Sequence, residues 1–153
     1  MPMKHWLALA SVVVTLGAGA SVANARATRT GTQGDLSPTA TNGRESGHYR
    51  MFEVSGPRGT WDRVQARARR LPVGRTTRAA RPAFHLFLVK SDGTATDFGA
   101  LRVNRIGNAA FLFDSRRMAF PAGVTTITDY SGGTIEVRDS SDTAVLSATL
   151  ASF

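Results

Sequence analysis

Arginine offers the most chemistry in this chain. Residues 26–81 hold twelve arginines against four acids, a net +8, whereas residues 82–153 hold six basic and seven acidic groups, a net −1. Arg63, Arg67 and Arg69 alternate with Val64, Ala66 and Ala68, so on a strand they would share one face, with Arg70 and Arg75 close by. A guanidinium fork matches phosphate, sulfate or carboxylate geometry. These five arginines are the candidate polyanion-binding residues, with anionic polysaccharide, lipid phosphate or nucleic acid as the classes of partner. The competing reading is a solvated face set by codon usage, since Lys90 is the only lysine after residue 25. Trp61 is the one aromatic beside the run, which is thin for base stacking.

Other chemistries have less support. The chain has no Cys, and only His48 and His85 follow residue 25, so thiolate catalysis, disulfides and a zinc site are disfavoured. His85 lies in an apolar strand and reads as a packing residue. Asp92, Asp97, Asp129, Asp139 and Asp142 fall at turns, where Asp is a standard residue; the spacing of a calcium-binding EF-hand is missing. There is no G-x-S-x-G elbow and no phosphate-binding glycine loop. A hydrolase would need an acid pair hidden in the loops. The expectation is a non-enzymatic protein without a cofactor.

The elements that must position these residues begin after an export signal. Lys4 and His5, the apolar run Trp6–Leu16 and the Ala23-Asn24-Ala25 site make residues 1–25 a cleaved signal peptide. Secretion, or residence in the periplasm or cell envelope, follows from it. No later segment is long and apolar enough to span a membrane as a helix. Residues 26–47 have Leu36 as their only large apolar residue, which predicts a flexible polar arm. Residues 48–153 carry short apolar runs bounded by turn signals every 8–12 residues, which predicts an all-β fold, a single antiparallel sandwich of about seven strands. Trp61–Leu71 fits either a helix or a strand and leans to the strand. Residues 75–82 read as a basic loop.

Several pieces of the second half carry a resemblance: Leu71-Pro72-x-Gly74, Asp92-Gly93-Thr94, Gly99 with Asn104-x-x-Gly107, Pro121-x-Gly123, Ile135-Glu136-Val137-Arg138-Asp139 and Val145-Leu146. The pattern resembles uncharacterised secreted bacterial β-sandwich proteins. The resemblance implies a fold and no activity. The expected role is that of an envelope or extracellular structural or adhesive domain. The alternative is a polyanion-binding module using the Arg-rich 58–81 region. Oligomeric state leaves no mark in the sequence.

Overall fold

The computed structural model describes residues 26–73 and 83–153. The expected signal (1–25) and the expected basic loop (75–82), Arg75 included, lie outside the described residues. The described chain forms β1 (Thr28–Pro38), β2 (Ser46–Gly56), β3 (Gly59–Arg69), β4 (His85–Val89), β5 (Ala95–Ala100), β6 (Arg102–Val103), β7 (Ala109–Asp114), a 3-10 turn (Ile127–Tyr130), β8 (Thr134–Arg138) and β9 (Ala144–Thr149). All pairings are antiparallel, so the all-β expectation holds. There are nine strands where about seven were expected, and they join in a single sheet ordered β5-β4-β8-β9-β1-β2-β3-β7-β6.

The two ends of that order are consecutive in the chain. Leu101 alone separates β5 from β6, so the sheet must curl nearly into a barrel. A bulge makes the bend: Leu86 pairs with Gly99 but Phe87 with Asp97, leaving Phe98 as the extra residue. Gly99 takes φ +124°, which a side chain would resist. The seam between β5 and β7 is bridged by side chains, with the Phe98 and Phe113 rings edge-to-face at 5.6 Å.

The residues expected to form a flexible arm are instead largely strand. β1 pairs with β2 over nine positions, from Thr28↔Ser55 to Leu36↔Gly47, and with β9 through Ser37↔Ser147. Its glycines supply clearance. A Cβ on Gly34 would meet the Tyr49 ring at 3.0 Å, and one on Gly31 would collide with the β2 backbone at Met51. Small residues in β1 therefore make room for larger ones in β2.

Trp61–Leu71 resolves as strand through Arg69, ending where Arg70 turns to φ +58°. Val64, Ala66 and Ala68 point inward and are buried; Arg63, Gln65, Arg67 and Arg69 point outward. Leu86, Leu88, Ile135, Val137 and Leu146 fill the other half of the interior. Among the described residues no helix is long and apolar enough to cross a membrane.

Candidate functional site

Antiparallel register stacks the outward side chains of neighbouring strands into rows. One row runs Gln33, Arg50, Gln65, Leu112 across β1, β2, β3 and β7. The next runs Asp35, His48, Arg67, Ala110, Arg102 and reaches β6. Ala110 is small, so the space between Arg67 and Arg102 is open. With Arg117 and Met118 from the turn after β7, these rows line an open groove of about 1240 Å³ that extends to the β5 seam at Phe98–Ala100. Arg50, Arg67, Arg102 and Arg117 give it four guanidiniums against Asp35 and Asp114. Leu112 and Met118 are exposed, large apolar residues within it.

The charge of Asp114 is already answered. Its Oδ2 accepts from Arg63 Nη2 and from Arg116 Nη2, each at 2.7 Å, and its Oδ1 accepts from Arg116 Nε at 3.0 Å and the Arg116 backbone N–H at 3.1 Å. The Arg116 guanidinium foremost, then Arg63, holds the Asp114 carboxyl well below the usual carboxylate range, against its burial. The same arginines cover aromatic faces. Arg116 lies 3.9 Å from the Trp61 ring and Arg29 lies 3.6 Å from Phe52, while Arg63 sits between the two rings at 5.3 and 5.8 Å. Phe52 points outward yet is buried, because this guanidinium lid covers it.

Of the sequence-predicted set, Arg63, Arg67 and Arg69 do share the outer face of β3. Arg67 enters the groove. Arg63 is committed to Asp114 and is half-buried. Arg69 and Arg70 are exposed further along the strand and outside the groove lining. Arg50, Arg102 and Arg117 were not in that set. Arg102 and Arg117 belong to the half of the sequence with net −1, and sheet order, not sequence distance, carries them to β3.

The remaining polar residues do local work. Asp92 Oδ1 accepts from the Thr94 N–H at 2.8 Å, and Asp139 Oδ1 accepts from the Ser141 and Thr143 N–H groups at 2.9 and 3.0 Å, as turn aspartates do. His85 Nδ1 lies 2.8 Å from Asp97 Oδ2 on the outer side of β4. No protein-family model, no curated protein and no solved structure matches the chain.

Proposed function

We propose that this protein is an exported, non-enzymatic β-domain that holds an anionic polymer along the outer groove of β2, β3, β6 and β7. The observation that supports this is the row pairing Arg67 with Arg102 across Ala110, flanked by Arg50 and Arg117. Asp114 does not oppose such a ligand, since two guanidiniums already neutralise it. Arg50 has one neutral partner, Gln33 Oε1 at 3.2 Å, which orients it without cancelling its charge. The groove is broad and open, which suits an extended chain of repeating charges. Export rests on the Lys4, apolar run and Ala23-Asn24-Ala25 pattern. It places the domain in the secreted, periplasmic or envelope fraction, where a structural or adhesive role would be exercised through that polymer. The resemblance to secreted bacterial β-proteins agrees with export.

The test is affinity for heparin and for duplex DNA across a salt series. Binding should weaken steeply with salt, by a log–log slope of roughly −0.9 per contacted phosphate on DNA. Replacing Arg67 and Arg102 together by Gln should flatten that slope by roughly 2. Arg105→Gln, a charge of the same sign outside the groove lining, should leave it unchanged. No retention at low salt, or a double variant indistinguishable from the parent, overturns the proposal.

A further inference from the structure

The interior of the barrel carries a polar site that the groove does not use. Glu53 on β2 and Asp62 on β3 are directly opposed in the hairpin register. Each belongs to the inward alternation of its strand, beside the buried Met51 and Val64. Opposed residues of an antiparallel pair bring their Cβ atoms to about 4.5–5.5 Å, so two carboxyl groups neighbour each other, Asp62 buried and Glu53 half-buried. Asp62 is 3% exposed, and its Oδ1 is shut off from solvent with no hydrogen-bond partner. An unpartnered buried carboxylate oxygen is costly; a protonated one is much less so.

The 3-10 turn Ile127–Tyr130 closes over this pair. Thr126, its N-cap, donates its hydroxyl to Glu53 Oε2 at 2.9 Å and accepts from the Thr128 N–H at 3.2 Å. The Ile127 backbone N–H acts on the Asp62 carboxyl in the opposite sense to burial, favouring its charged form. Ile127 and Tyr130 are fully buried, so the turn acts as a plug, and its leading end holds the wall through Glu53. Tyr130 is anchored separately, through its hydroxyl to Thr96 Oγ1 at 2.7 Å.

No cation among the described residues pairs with either group. On β3 the adjacent Arg63 points outward to Asp114, as does Arg116 beyond β7. β1 opposes Glu53 with the uncharged Thr30. On the plug, the exposed Asp129 faces Lys90 at 3.9 Å. Glu53 is thus the charge that acts on Asp62.

We infer that Glu53 and Asp62 form a proton-binding site beneath the plug, in which Asp62 carries the proton and so relieves the like-charge repulsion of the opposed pair. The proton comes from solvent and neutralises one of two like charges. Burial first, and the Glu53 charge second, push the Asp62 carboxyl up to about 6. The ordinary value is near 3.9, so the fold binds this proton roughly 100-fold more tightly than the unfolded chain does. The stabilisation from the proton is complete below about pH 4 and is lost as pH rises through about 6.

Carboxyl carbon NMR of the intact protein reads the site directly. Asp62 should titrate near pH 6, and Glu53→Gln should move that midpoint toward the ordinary range. A wild-type midpoint near 4, or one that Glu53→Gln leaves in place, overturns the inference. Asp62→Asn mimics the protonated form, so it should remove the part of the pH dependence of stability that lies between about pH 4 and 6. A variant with the parent's pH profile refutes the site. Should that variant fail to fold, the wild-type titration still decides the matter.

Discussion

Asp62 and Asp114 are equally buried, at 3% and 4% exposure, and lie on adjacent strands, yet they end in opposite states. Asp114 faces outward into two guanidiniums and is held well below the usual range. Asp62 faces inward, where burial first and the Glu53 carboxyl second push it up to about 6. A single residue joins them: Ser115 Oγ accepts the Asp62 N–H at 2.8 Å, and the Ser115 N–H donates to the Asp62 carbonyl at 3.0 Å. The contrast shows that burial does not set ionisation alone: it raises both carboxyls, and only Asp114 has guanidiniums that override it. Which face of β3 or β7 a residue occupies decides whether it meets them.

The contrast can be broken most forcefully at Asp114. Asp114→Asn removes the charge and one of the two oxygens that accept four hydrogen bonds from Arg63 and Arg116. It should cost about 2–3 kcal/mol at pH 7 by urea unfolding, less than for a fully desolvated pair because both guanidiniums reach water. Since Asp114 is depressed in the fold, its contribution is present above about pH 4 and is lost as pH falls through its native value. The loss in Asp114→Asn should therefore shrink only in strong acid, whereas the Asp62 proton acts in the opposite direction and nearer neutrality.

Arg116→Gln sharpens the contrast. Arg116 makes the bidentate contact and is half exposed, while Arg63 gives one bond. The change should lower stability by less than Asp114→Asn does, and by less again when Asp114 is already Asn, where mainly the Trp61 contact is left to lose, as a double-mutant cycle would reveal. Ser115→Ala has the smallest expected effect, about 0.5–1 kcal/mol by the same unfolding measurement, since it removes one side-chain acceptor from a backbone N–H that is partly buried.

Strand alternation carried much of the fold in the sequence. The outward arginines and inward Val64, Ala66 and Ala68 of β3 were legible, as were the runs that became β4, β7 and β8. β1 was not. Its Thr and Gly residues read as polar and flexible because the volume that fills their side of the core belongs to Tyr49 and Leu36, and the need for small residues is visible only once β2 is beside them. The Glu53–Asp62 pair was hidden for a related reason. It follows from the register of the β2–β3 hairpin, which the two-residue Pro57–Arg58 loop fixes with Gly59 at φ +107°; without that register Glu53 is one acid in a strand and Asp62 another. The groove needed still longer-range information. Arg102 meets Arg67 through β7, a strand order that local patterning does not encode.

Closure of the sheet has a consequence in time. β1 must find β9, a partner near the opposite end of the described chain, through the short contact Ser37↔Ser147 and Pro38↔Leu146. Such a pairing comes with a large loop-closure entropy, and proteins dominated by distant pairings fold in about milliseconds to seconds, not microseconds. The β1–β3 meander can assemble early from local hairpins, but its arginine-covered wall has no complete interior to shelter until β8 and β9 arrive. The last-made strands thus finish a ring begun by the first. Until they dock, the chain stays an open ribbon.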